Sequence, residues 1–323
     1  MNVSRLIPTA AVAGAAVLGL TALTACSSSD SSDHKNGDKL NVVASFYPMQ
    51  FLAERIGGEH VSVTTLTKPG VEPHDLELSP RQIGGLGDAD FVLYLKGIQP
   101  AVDDAIKQSG AEDVVDASTL TKLETHGTET GPDDHDHDHG DDHDHHGDEA
   151  GADPHIWLDP VKYAEVAKGV GKSLEKSDPG HAADYRKNTE ALVTELDGLN
   201  TAYANGLRNT ATKTFITTHS AFGYLAERYG LTQEGIAGVD PEAEPSPARI
   251  KAIHTITKKD GATTVFFETL ASDKTAKTLA RDTGLRTDVL DPLEGITDKS
   301  KGTDYIEVMR SNLAALQKAL GTK

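Results

Sequence analysis

A chain of 323 residues is long enough for two domains of ordinary size. With 37% hydrophobic and 25% charged residues it can build a core, which excludes wholesale disorder. Its 50 acidic residues against 31 basic ones give a net charge of -19, which repels phosphate backbones, excludes a general nucleic-acid binder and suits a chain that handles cations. One cysteine, Cys26, excludes an intramolecular disulfide and a cysteine zinc site, so the 14 histidines carry most of the chemical information.

In chain order, residues 1–25 read as a secretory signal: Arg5 gives a short positive region and an apolar Ala/Gly/Leu stretch runs from Leu6 to Leu23. Pro8 and the many small residues make it weakly apolar for a transmembrane helix. Leu23-Thr24-Ala25-Cys26 resembles the bacterial lipobox, which implies cleavage before Cys26 and a lipid on its sulfur. Residues 26–38 then form a Ser/Asp-rich tether to the membrane surface.

From Lys39 strand and helix patterns alternate. Strands are expected at Lys39–Phe46, Val61–Thr67, Phe91–Leu95 and Asp113–Asp116, with helices at Pro48–Ile56, Pro80–Leu86 and Ala101–Gln108. Pro160–Ser173 is a helix with Asp159 as its N-cap. Residues 178–208 read as one unbroken helix, with Leu192, Leu196, Leu199 and Tyr203 on one face. Alternation then resumes, with strands at Thr214–Thr217, Leu231–Ala237, Thr264–Phe267 and Thr287–Leu290 and a closing helix at Tyr305–Leu320. The expected fold is α/β: two lobes with mostly parallel sheets, an N-terminal lobe 39–177 and a C-terminal lobe 210–323, joined by the long helix 178–209. Ligands in such folds sit beyond the carboxyl ends of strands, here in the cleft between lobes.

Four residues occupy such positions. His74 lies in the stiff loop GVEPHDLELSP, His155 in ADPHIWLDP, His219 in TTHSAFGY directly after a strand, and Asp291 in VLDPLEG after another. Singly, each histidine reads as a packed structural residue and Asp291-Pro292 as a turn. Together, three imidazoles and a carboxylate match a tetrahedral zinc set in type and number. Glu268, in VFFETL, is the rival carboxylate: a fourth ligand, an acceptor for a ligand N–H, or a purely structural residue.

The segments GVEPHDLELSP, DPHIWLDP, THSAFGYLAERYG, PEAEPSP and LDPLEG resemble the zinc-binding solute-binding lipoproteins of bacterial ABC importers over about residues 39–320. The resemblance implies two (β/α) lobes joined by a rigid helix, with metal between them. It places His74 and His155 on the first lobe and His219 and Asp291 on the second. It implies a monomeric, lipid-anchored extracytoplasmic protein that delivers Zn2+ to a membrane permease and, through it, to an ATPase. Manganese-preferring relatives tend to carry Glu in place of His219, and a third imidazole favours zinc over Mn2+.

Between Glu124 and Glu149 lie seven histidines (His126, His135, His137, His139, His143, His145 and His146) and eleven acidic residues, with no basic one. This loop, 124–150, cannot pack a core, and its Asp-His alternation suits auxiliary binding of divalent cations. Three other functions compete with zinc capture: manganese import, surface adhesion and zinc-dependent hydrolysis. A hydrolase would need a general base and a substrate pocket, and the chain has no HExxH and no nucleophile elbow. His60, His181 and His254 are expected to face solvent, and His34 falls in the tether.

Overall fold

In the computed structural model, residues 39–126, 152–241 and 243–322 are described. The expected signal segment, Cys26, His34 and six of the loop histidines (His135, His137, His139, His143, His145 and His146) lie outside them. Two four-stranded sheets organise the described chain. The first contains β1 (Leu40–Ala44), β2 (Val61–Thr65), β3 (Phe91–Tyr94) and β4 (Val114–Asp116) in the order β2-β1-β3-β4. The second contains β5 (Thr214–Thr217), β6 (Thr232–Gly235), β7 (Thr264–Phe267) and β8 (Arg286–Val289) in the order β6-β5-β7-β8. Every pairing in both sheets is parallel. The central strands β1, β3, β5 and β7 are mostly apolar and buried, as a sheet covered on both faces requires.

Helices α1 (Tyr47–Gly57), α2 (Pro80–Gly87) and α3 (Pro100–Ser109) connect the first sheet. The chain then runs through α4 (Pro160–Ser177), α5 (Ala182–Gly206) and α6 (Gly223–Arg228), and on through α7 (Pro247–Asp260), α8 (Lys274–Thr283) and α9 (Tyr305–Leu320). Their starts follow from sequence. Ser79 and Gln82 close a capping box on α2, and Ser246 and Asp304 cap α7 and α9. Asp159 caps α4 by accepting from Val161 N, with Pro160 at the first turn.

The expected helix 178–208 is broken near its start. Pro179–His181 forms a separate 3-10 turn, and α5 begins at Ala182. Proline can occupy a first turn but lacks the N–H that a continuing helix needs. From there Tyr185, Thr189, Leu192, Leu196, Leu199 and Tyr203 line one buried stripe at spacings of four and three. This stripe meets α4 and α1 and, further along, α9. Gly171 of α4 allows the close approach, since a Cβ there would lie 2.2 Å from Thr189 Oγ1. At the far end Tyr203 Oη donates to Met309 O at 2.6 Å. One hydrophobic cluster accordingly runs from Leu40 and Phe91 of the first sheet through α5 to Phe215 and Phe266 of the second. It fixes the two lobes against each other through a shared core.

Candidate metal centre

Four side chains converge where the lobes meet. Nε2 of His155, His74 and His219 lie 3.3, 3.4 and 3.5 Å from one atom, Glu294 Oε1. Four donors at 2.0–2.1 Å from a tetrahedral zinc are separated by about 3.3–3.4 Å, so the spacing is that of one ion's ligand shell. His155, His219 and Glu294 are buried, whereas His74 keeps partial exposure. His155 Nε2, His219 Nε2 and Glu294 Oε2 have no hydrogen-bond partner. Buried polar atoms left unpaired are costly, and an ion among them would satisfy all three.

Each of these side chains is held by its own local structure. His219 follows β5, and its carbonyl accepts from Thr217 Oγ1 at 2.6 Å and Gln233 Nε2 at 3.1 Å. Its Nδ1 lies 2.7 Å from Glu268 Oε1, which also accepts from Thr218 Oγ1. Glu268 follows β7, the neighbour of β5, so the pair sits at the point where strand order reverses in the second sheet. His155 Nδ1 lies 2.7 Å from Asp153 Oδ1, which also takes the His155 backbone N–H. An ionised carboxylate only accepts, so in both rings Nδ1 carries a proton, and in the neutral form that a metal requires Nε2 turns its lone pair to the site. His74 stands in the Pro/Gly loop after β2, with Glu294 as its nearest charged partner.

Electrostatics favour this arrangement. Burial disfavours the charged form of all three buried groups, but their partners outweigh it. His219 is raised well above the ordinary imidazole range, by Glu268 first and then Glu294. His155 is raised by Asp153 and Glu294. Glu294 is held well below the usual carboxylate range, against the penalty of its burial, by the three imidazoles of His155, His219 and His74 around it. Glu72, two residues before His74, is pushed up to about 7 by burial and by the negative charge of Glu294.

At the fourth position the structure differs from the sequence expectation. The carboxylate it brings to the cluster is Glu294; Asp291, three residues earlier, is turned into the loop. Asp291 Oδ1 accepts from Leu293 N at 2.9 Å, and Oδ2 accepts from Ser300 Oγ at 2.9 Å and Thr269 Oγ1 at 3.1 Å. Its backbone is clamped both ways by the Asn312 amide, at 3.0 and 2.7 Å. This tight turn puts Leu293 at φ 60 and sends Glu294 inward. Trp157 Nε1 donates to Pro292 O at 2.7 Å, tying the His155 segment to the same turn. Asp-Pro reads as turn chemistry in sequence, but the sequence reading takes Asp291 as the ligand and passes over the carboxylate of Leu-Glu-Gly. Asp153, which orients His155, has no comparable sequence signal beyond its place two residues upstream.

Glu268 takes the supporting position behind His219. His126, the one loop histidine among the described residues, is not in the cluster: it packs edge-on to Tyr224, with ring centroids 4.3 Å apart. His60 and His181 do not simply face solvent, because they stack at 3.9 Å, with Asp184 2.9 Å from His60 and Asp178 2.6 Å from His181.

The profile described as "Zinc-uptake complex component A periplasmic" matches residues 42–319. The zinc-binding lipoprotein AdcA of Streptococcus pneumoniae is 36% identical over 301 residues, 91% of this chain and 58% of AdcA, so the chain spans a little over half of that relative. The high-affinity zinc uptake system protein ZnuA of Bacillus subtilis is 36% identical over 315 residues, 96% of each chain. Among solved structures, the Zn(II)-bound ZnuA-like domain of S. pneumoniae AdcA superposes with a TM-score of 0.71 at 32% identity, covering 87% of this chain and 99% of that one. A laminin-binding adhesin variant from Streptococcus agalactiae superposes at 0.75 with 31% identity over the same shares.

Proposed function

Because the chain belongs to the zinc-uptake complex component A family, we propose that it captures Zn2+ outside the cell membrane and hands it to the permease of an ABC importer. The observation that carries this reading is the meeting of His74, His155, His219 and Glu294 with ligand-shell spacing. Three neutral nitrogens and one carboxylate suit zinc, whereas Mn2+ favours oxygen-rich sites. The protein binds and releases its cargo without chemistry on it. Docking on the permease would favour a state in which the ligand set is loosened, since only a partner with differential affinity can shift such an equilibrium.

The remaining parts of the reading are its surroundings. Lipid on Cys26 would hold the protein at the extracytoplasmic face; among the described residues no helix is long and apolar enough to cross a membrane. The His/Asp-rich loop would gather Zn2+ beside the cleft at weaker affinity than the preformed site. Competition with a chelator of known affinity tests the central claim. Wild type should bind one Zn2+ tightly, and His155→Ala and His219→Ala should each lose that tight site. Wild-type binding by both variants would overturn the assignment. The adhesin relative keeps a second reading in view, and growth of a deletion strain on limiting zinc separates the two. Rescue by added Zn2+ marks transport, and a growth defect that zinc does not relieve counts against it.

A further inference from the structure

Asp153 has two faces, and the metal centre uses one. Its Oδ1 faces His155 Nδ1, while its Oδ2 lies 3.2 Å from His126 Nδ1. The Asp153 side chain is fully buried and that of His126 is 15% exposed. One carboxylate therefore fixes the same tautomer in both imidazoles, and each Nε2 points away from it toward a separate acid. For His155 that acid is Glu294; for His126 it is Glu227, with Nε2 to Oε2 at 2.8 Å. Glu124 completes the outer trio: one donor atom each from Glu124, His126 and Glu227 lies within 4.8 Å of the others.

The outer seat is built. Glu124 N donates to Tyr224 Oη at 2.8 Å, and Tyr224 Oη donates in turn to Asp153 O at 2.8 Å. Asp153 N donates to Glu124 O at 2.9 Å, so the two ends of the His/Asp-rich loop are zipped together at this point. Gly223 makes room for the ring, since a Cβ there would lie 2.3 Å from His126 Cβ and 2.9 Å from Asp153 Oδ2. The cations already nearby are loosely engaged with Glu124: Lys162 Nζ lies 3.6 Å away and Lys122 Nζ 3.8 Å away. Arg228 is committed to Asp159.

We propose that Glu124, His126 and Glu227 form a second site for a borderline divalent cation such as Zn2+, at the root of the His/Asp-rich loop and oriented by the same aspartate as the inner centre. A carboxylate facing Nε2 at 2.8 Å is bridged by a proton in the metal-free protein. The ion replaces that proton, with the exposed Glu227 moving back by a few tenths of an ångström and Glu124 swinging in to share it. Two carboxylates and one imidazole near the surface make this the weaker site. The outer site does not depend on the transport role; only its sharing of Asp153 rests on the inner-site reading.

Crystals of the full chain grown with excess Zn2+ and measured at the zinc absorption edge test this directly. Wild type should show an anomalous peak among His126 Nε2, Glu124 and Glu227 in addition to the inner one. Glu227→Gln and His126→Ala should each lose the outer peak and keep the inner. Absence of an outer peak when the inner one is full, or its persistence in His126→Ala, overturns the proposal. An outer peak without an inner one would instead remove the inner assignment and leave this one standing.

Discussion

The loop that carries His74 and the loop that carries Glu294 meet at the same site but are built differently. Glu294 stands on a turn fixed by both Asp291 oxygens, the Asn312 amide and the Trp157 indole. His155 and His219 are likewise each backed by a buried carboxylate. His74 instead stands in the Pro/Gly loop after β2 and keeps partial exposure. Pro69 and Gly70 of that loop border an open groove with Ile296, Thr297 and Ser300 on the other side. Three of the side chains are therefore fixed, and His74 closes the set. On the proposed reading, the ion would enter and leave on the His74 side.

The largest effects test that division. Four-ligand structural zinc sites bind with about 10–16 kcal/mol, so one donor is worth about 3 kcal/mol, or a factor of about 100. His155→Ala and His219→Ala should weaken Zn2+ binding by at least that much in chelator competition. His74→Ala should weaken it less and act mainly by raising the dissociation rate, read by stopped-flow transfer of Zn2+ to a chromophoric chelator. Equal losses in all three, with unchanged dissociation in His74→Ala, would break the comparison.

Acid should act on the fixed side chains. His155 and His219 have raised proton affinities, and both must be neutral to bind metal. Zn2+ affinity should therefore fall as pH drops through the range above the ordinary imidazole value of 6.5, by up to about a hundredfold per pH unit if both protons are displaced. Metal-free stability runs the other way at high pH. The raised imidazoles stabilise the fold fully below 6.5 and lose that contribution as pH rises through their folded values. Glu294, depressed from 4.5, contributes above that value and loses its contribution as pH falls through its folded one. The charge cluster thus supports the metal-free fold best between about 4.5 and 6.5, and thermal melts with and without Zn2+ across pH should diverge above that window.

How far the sequence foretold this division can be read residue by residue. Strand-helix alternation gave both sheets and their parallel sense, because buried apolar runs between turn signals have few other solutions. Strand ends were less legible: Leu231–Ala237 shrank to Thr232–Gly235, since pairing with β5 rather than hydropathy sets the limits. The three histidines stood out because each lies at a strand end or helix start. Glu294 did not, because choosing between two acids three residues apart needs the turn's geometry, and Leu293 at φ 60 is a conformation that local preference does not suggest. Asp153 and Glu268 act through hydrogen bonds, one two residues upstream of its partner and the other from a neighbouring strand; Glu268's place after a strand made it a candidate acceptor, and nothing in the spacing singled out Asp153.

Changing the carboxylates behind the rings gives intermediate effects. Glu268→Gln keeps shape but removes the charge that orients His219, and loss of such a partner costs about 10–100-fold in metal affinity. Asp153→Asn should do the same for His155, and X-ray absorption should still show the full set of nitrogen neighbours. Loss of a nitrogen from the shell would mean that these acids hold the rings in place rather than tune them.

The smallest effect on affinity is expected at Asp291, and it separates turn from ligand. Asp291→Ala removes three buried acceptor contacts, from Leu293 N, Ser300 Oγ and Thr269 Oγ1. Each buried group left unpaired costs about 1–3 kcal/mol, so the metal-free protein should melt several degrees lower. Bound Zn2+ gathers Glu294 with the three imidazoles and restores much of the turn, so affinity should fall by less than about tenfold, well short of the hundredfold assigned to a lost ligand. The test compares Asp291→Ala with Glu294→Ala in paired melting and chelator titrations. A turn residue shows a large melting shift with modest affinity loss, and a ligand shows the reverse. If Asp291→Ala loses zinc as severely as Glu294→Ala while melting like wild type, the assignments of these two acids must be exchanged.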